Sequence, residues 1–169
     1  MGDQSDRRMT TVRLFKVIDP DRTAQNVADF LRGKGHYKYR GYPKLLEDEQ
    51  VFGMVSSSGG DITGVHGSRH NGVEEAMIDK AHCREAICCV KEAINTCLPA
   101  QQTILKERYI NGTKRGIVMQ MVLIGGNDDY QDADIVARNR FAAALDKFVK
   151  ARGCEDLIPP LQVWLQTWE

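Results

Sequence analysis

The chain has 169 residues, 42% of them hydrophobic and 27% charged, with Lys plus Arg and Asp plus Glu both totalling 23. That size and mixture suit one compact domain or two very small ones, and the zero net charge gives no general attraction to a polyanion. The longest apolar runs, Ala86 to Val90 and Phe141 to Leu145, have five residues, against the roughly 20 of a bilayer-spanning helix, which excludes a transmembrane segment.

Near the N-terminus, Asp3, Asp6, Arg7 and Arg8 have no apolar stretch after them, so the expected location is the cytoplasm. Charge is balanced in total but not locally: residues 1–46 carry ten basic and five acidic side chains, 47–79 one and seven, 80–127 seven and three, and 128–169 five and eight. Folding can gather such blocks into a basic face or interleave them.

Asp19-Pro20-Asp21 reads as a helix start, with aspartate capping free N–H groups and proline at the first helical position. Val27, Phe30 and Leu31 give that helix an apolar face, and Gly33 or Gly35 ends it. From His36 to Lys44, Tyr37, Tyr39 and Tyr42 alternate with Lys38, Arg40 and Lys44, a mixture that can stack on bases and pair phosphates; a tyrosine-anchored basic surface is the favoured reading. Residues 53–72 are rich in Gly and Ser without apolar periodicity and read as a linker or long loop. No Gly-Lys-Ser/Thr follows, so they make no phosphate loop.

Residues 74–97 return to helix, with Cys83, Ile87, Val90, Ile94 and Cys97 forming one stripe. Pro99 opens the next helix, in which Ile104, Leu105 and Tyr109 share a face, and Asn111-Gly112 ends it. Ile117, Met121 and Ile124 form a third apolar set after Lys114 and Arg115. A loop over Gly125 to Asp132 is expected, and then a helix from about Asp134 to Arg152 burying Ala137, Phe141, Ala144, Leu145 and Phe148. After Pro159-Pro160, Leu161, Trp164, Leu165 and Trp168 fit one side of a short helix. The chain therefore reads as mostly α, divided into an N-terminal helical region (1–52), a linker (53–72), a helical C-terminal domain (73–152) and a tail with paired Trp (153–169).

Catalytic sets are scarce, and no enzymatic activity or cofactor is expected. His66, His70, His82, Cys83, Cys88 and Cys89 lack metal-ligand spacing, and the five cysteines read as reduced, mostly buried thiols. Asp128, Asp129, Asp132 and Asp134 read as a solvated loop or helix start in preference to a Mg²⁺ site.

The stretch from Leu98 to Gly112, followed by helix, glycine break and long helix, resembles the helix-turn-helix of sigma-factor region 4. More broadly, Asp19, Thr23, Asn26-Val27, Phe30-Leu31, the glycine-rich middle, Ile104-Leu105, Arg108-Tyr109-Ile110 and Ala144-Leu145 with Phe148 resemble the ArpU-type family of phage late-gene transcription regulators. The resemblance spans residues from about 18 to 150. It implies a sigma-like activator of late genes such as those for packaging or lysis, binding double-stranded DNA in the cytoplasm of a bacterial host. RNA polymerase and a second copy of the chain are further candidate partners. It assigns the helix near Lys114 to support and the last long helix to base reading. Arg138, Asn139 and Arg140 are the reading candidates, as Arg suits guanine edges and Asn adenine edges, and Lys114 and Arg115 would hold phosphates. Tyr130 and Gln131 are further DNA candidates, though Asp128, Asp129 and Asp132 beside them repel phosphate. The competing readings are a protein-interaction module and a small packaging or nuclease-associated component.

Overall fold

The computed structural model describes residues 17–55 and 70–165, and the fold is mostly helical. In chain order come β1 (Val17–Ile18), α1 (Pro20–Arg32), a 3₁₀ turn (Gly35–Tyr37), α2 (Tyr42–Val55), α3 (His70–Asn95) and α4 (Pro99–Thr103). A π-helical stretch (Ile104–Ile110) continues α4, followed by α5 (Arg115–Met121), α6 (Asn127–Arg152) and β2 (Trp164–Leu165).

The boundaries follow from local chemistry. The Asp19 side chain accepts the Arg22 N–H at 3.1 Å, with Pro20 in the first turn, and Gly33 closes α1 in the left-handed conformation (φ 63°). Gly153 ends α6 in the same way (φ 64°). Between α4 and α5, Gly112 again takes a positive φ, 71°.

One hydrophobic core runs through the described residues. Val27, Phe30 and Leu31 of α1, Leu45 of α2, Ile87, Val90 and Ile94 of α3, and Ile104 and Leu105 of the π stretch meet Ala137, Phe141 and Leu145 of α6. Each large side chain so buried contributes about 1.5–3 kcal/mol. Segments on both sides of residues 56–69 share this core, with α2 and α6 each packed on α3 and α1 packed on α6. The stripe Cys83, Ile87, Val90, Ile94 and Cys97 is buried as its spacing predicts.

Several sequence expectations are corrected. The Gly/Ser-rich segment is shorter than 53–72 among the described residues, because residues 53–55 end α2 and 70–72 begin α3; residues 56–69, including His66, lie outside the described part. The loop expected over Gly125 to Asp132 is instead a tight turn, since α6 begins at Asn127 and carries Asp128 and Asp129 in its first turn, where carboxylates oppose the positive helix end favourably. In α5 the apolar set is rotated: Val118 is buried while Ile117 and Met121 are exposed, and Ile124, just past the helix, is half-buried.

The tail is also not helical among its described residues, 154–165. Val17 pairs with Leu165 and Ile18 with Trp164 in an antiparallel ribbon. The Asp19 N–H donates to Val163 O (2.9 Å), the Val163 N–H to Thr23 Oγ1 (3.0 Å) and Asn26 Nδ2 to Leu161 O (3.2 Å). Leu161 is buried and Trp164 half exposed; Trp168 lies outside the described residues. Backbone pairing with β1 and α1 thus decides the tail's conformation over its apolar spacing. In the 36–44 stretch, Tyr37 and Tyr42 belong to the core, Tyr37 edge-on to Phe30 (5.9 Å between ring centres), leaving Tyr39 as the exposed ring.

Candidate nucleic-acid interface

The π stretch sets the geometry of the candidate site. The Asn111 N–H reaches back five residues to Lys106 O (2.8 Å), and the Thr113 N–H bonds Glu107 O (2.8 Å). Such widened turns are rare and often found at functional sites. This one turns Tyr109 into the core, where its hydroxyl donates to Asp134 of α6, 2.7 and 2.9 Å from the two carboxylate oxygens.

Asp134 is the centre of a buried junction. Its carboxylate also accepts from Arg138 one turn on (2.7 Å), and both side chains are only 12% exposed. Arg138 uses a second guanidinium nitrogen on the Ala24 carbonyl of α1 (3.0 Å) and its Nε on Asp134 O (3.3 Å). The guanidiniums of Arg138 and Arg32 also lie over the Tyr109 ring, at 5.4 and 4.5 Å from its centre. Three elements, α1, the π stretch and α6, are locked together here.

Beside this junction opens a half-enclosed cavity of about 250 Å³, lined by Arg32, Arg108, Tyr109, Arg115, Tyr130, Gln131, Asp134, Ile135 and Arg138. Its wall holds four guanidiniums against one carboxylate, and that carboxylate is already engaged. Arg108 donates to Thr113 O (3.2 Å). Arg115 donates to Asn127 O at the start of α6 (2.7 Å), and its guanidinium lies 5.2 Å from the Tyr130 ring centre. Arg115 Nε and the Tyr130 hydroxyl are buried without a hydrogen-bond partner among the described residues.

Burial pushes the Tyr130 phenol above its ordinary pKa, reinforced by Asp134 and opposed by Arg108, Arg115 and Arg138. Tyr109 is raised further, again chiefly by burial and then by Asp134. Both phenols therefore keep their protons near neutral pH; Tyr109 donates to Asp134.

The seven residues assigned to DNA from sequence fall into two groups. Arg115, Tyr130, Gln131 and Arg138 share the cavity wall, whereas Lys114, at the start of α5, Asn139 and Arg140 lie outside it. The expectation that Arg138 points outward is corrected: Asp134 and the Ala24 carbonyl hold it inside. Tyr130 sits in α6 and not in a loop, and only 2% of it is exposed, so it cannot reach a duplex directly. Asn139 is half-buried, its amide donating to Pro20 O and Ile135 O (2.9 Å each). Lys114, Gln131 and Arg140 are exposed.

Sequence reading assigned no site role to Arg32, Arg108 or Tyr109: Tyr109 reads as a core residue, and Arg108 and Tyr109 enter only through the family resemblance. The one local signal was the polar end of Tyr109 in an apolar stripe, since a buried phenol hydroxyl requires a partner; Arg32 arrives from the far end of the chain through tertiary packing. No groups of three or more His, Cys, Asp or Glu suited to a metal ion occur among the described residues, and no helix among them is long and apolar enough to cross a membrane. Comparison with protein-family models, curated proteins and solved structures finds no match to this chain.

Proposed function

We propose that the chain is a non-enzymatic, sequence-specific regulator of transcription that binds double-stranded DNA through α5, the turn after it and α6. The observation that supports this most is the short helix, tight turn and long helix in succession. Leu123 adopts a positive φ (57°) in the turn, and Val118 anchors α5 in the core. In helix-turn-helix proteins the second helix of such a pair enters the major groove while the first crosses the backbone. Lys114, Gln131 and Arg140 are the exposed candidates for duplex contact, with Lys114 on phosphate. The resemblance to ArpU-type regulators adds the expectation of a phage late-gene promoter, with RNA polymerase nearby.

Asp128, Asp129 and Asp132 are exposed on the first two turns of α6 and oppose phosphate. Duplex contact on this reading is therefore weighted to Lys114 and Arg140, and few phosphates are neutralised. The test is selection of protein-bound fragments from the source genome at physiological salt. Recovery of one promoter region supports the reading, and retention of fragments without sequence preference contradicts it.

A second reading has its own observation. Ile117, Met121 and Leu123 are exposed on α5 and its turn, Leu123 by 91%, beside the acidic start of α6. An apolar surface rimmed by charge suits docking on a protein, whether RNA polymerase or a second copy of the chain. Ile117→Ser with Met121→Ser would then abolish co-purification with RNA polymerase or the dimer mass.

A further inference from the structure

We infer that the cavity between α1, the π stretch and the start of α6 is a binding site for a phosphate oxyanion, held by the guanidiniums of Arg32, Arg108 and Arg115 with the Tyr130 hydroxyl as a neutral donor. Charge is the first argument. Four guanidiniums face one carboxylate in a half-enclosed space, and that carboxylate is bound to Arg138 and Tyr109, so three positive charges remain without a counter-ion in the wall. Like charges gathered in this way repel one another, and a bound anion relieves the repulsion. A recessed, partly desolvated position makes each guanidinium–oxyanion contact stronger than the same contact on an open surface.

Hydrogen bonding is the second, independent argument. Tyr130 is almost wholly buried, and its hydroxyl and the neighbouring Arg115 Nε have no partner among the described residues. Buried polar groups are rarely left unsatisfied, and an exception calls for an explanation such as a missing ion or water. Arg115 Nε can only donate and the Tyr130 hydroxyl can donate, so a ligand with several acceptor oxygens, such as a phosphate, satisfies both at once. Arg138 is excluded from this role, since Asp134 and two backbone carbonyls already occupy its donors.

Size is the third. About 250 Å³ lies below the roughly 300–1,000 Å³ of sites that enclose drug-sized organic ligands. The cavity therefore takes the phosphate group itself and leaves any attached nucleoside or sugar outside, near the exposed Gln131. Forked guanidinium donors match tetrahedral oxyanions in both free phosphate esters and the DNA backbone. The site does not depend on the DNA-binding reading.

The experiment is calorimetric titration of the full chain with inorganic phosphate at constant ionic strength, without DNA. Saturable one-to-one binding is expected. Arg108→Gln should weaken it at least about tenfold, as removing a charge-assisted contact does. Tyr130→Phe guards against loss of fold: it removes only the hydroxyl, so the thermal midpoint without phosphate should be unchanged or raised while phosphate affinity falls. Absence of saturation, or equal affinity in both variants, overturns the proposal. Two further arms identify the source of the phosphate. If inorganic phosphate displaces a duplex from the wild-type chain but not from Arg108→Gln, the group is a backbone phosphodiester. If a 5′-nucleotide saturates the cavity while duplex binding is undisturbed, it is a free phosphate ester.

Discussion

Removing the Asp134 carboxylate tests how the α1, π-stretch and α6 junction is held. In Asp134→Ala, Arg138 keeps its backbone carbonyl partners but loses its counter-charge, and the Tyr109 hydroxyl loses the acceptor it now contacts at 2.7 Å. Taking one partner from a buried ion pair costs about 3–5 kcal/mol. The 12% exposure of both side chains and the cavity alongside admit some water, which places the expected loss at the lower end, about 3 kcal/mol. For a chain of this length each kcal/mol moves the midpoint by about 2–4 °C, so thermal unfolding should shift down by about 6–12 °C. Tyr109→Phe, which leaves the ion pair intact, should cost only about 1–2 kcal/mol. Combining the two in a double-mutant cycle followed by urea unfolding should give less than the sum, because they share one hydrogen bond. A loss below about 1 kcal/mol for Asp134→Ala, the range of an exposed pair, would refute the buried-junction argument.

Other consequences are smaller and separately measurable. Burial pushes the Asp146 carboxyl above its ordinary pKa, against the opposing Leu161 N–H and Lys150. The folded state then holds this proton more tightly than the unfolded chain, so the contribution of Asp146 to stability is greatest in acid and is lost as pH rises through the folded pKa. Asp146→Asn, which keeps an acceptor for the Leu161 N–H, should stabilise the protein at neutral pH, with the gain disappearing in acid-range urea titrations. Cys83, Cys89, Cys97 and Cys154 are buried and Cys88 half-buried, and burial raises the Cys89 thiol to about 12; a thiol reagent should modify one cysteine quickly in the native protein and all five after unfolding. A Cβ at Gly41 would come within 2.6 Å of Tyr37 O and 2.8 Å of Phe30 O, whereas one at Gly116 meets nothing within 4 Å. Gly41→Ala should therefore cost about 1–3 kcal/mol, and Gly116→Ala, in α5, should gain about 0.5 kcal/mol, both read by urea unfolding.

The sequence makes legible whatever is decided within a few residues. The Asp19 cap, the glycine stops at Gly33 and Gly153 and the buried stripe from Cys83 to Cys97 all follow from local spacing and backbone preference. Elements decided by distant partners do not. Ile117 and Met121 have helical spacing with Ile124, but the core offers its space to Val118. The tail's apolar residues could line a helix, yet pairing with Val17 and Ile18 draws Trp164 and Leu165 into a strand. In the candidate site, Arg115, Tyr130, Gln131 and Arg138 were identified as polar and aromatic residues near a helix pair. Their shared cavity and the arrival of Arg32 and Arg108 depend on the π turn and on α1 packing against α6. Arg138 shows the limit most clearly: its capture by Asp134 four residues earlier was open to sequence reading as a helical pair, but its depth was set by the Ala24 carbonyl of α1.

Binding of duplex DNA through α5 and α6 can be read from the salt dependence of affinity for the fragment recovered from the genome. Log affinity should fall linearly with log salt, with Lys114→Ala making the slope shallower by about 0.9, the value for one phosphate contact on duplex DNA. Salt-independent affinity, or the same slope with and without Lys114, would contradict it.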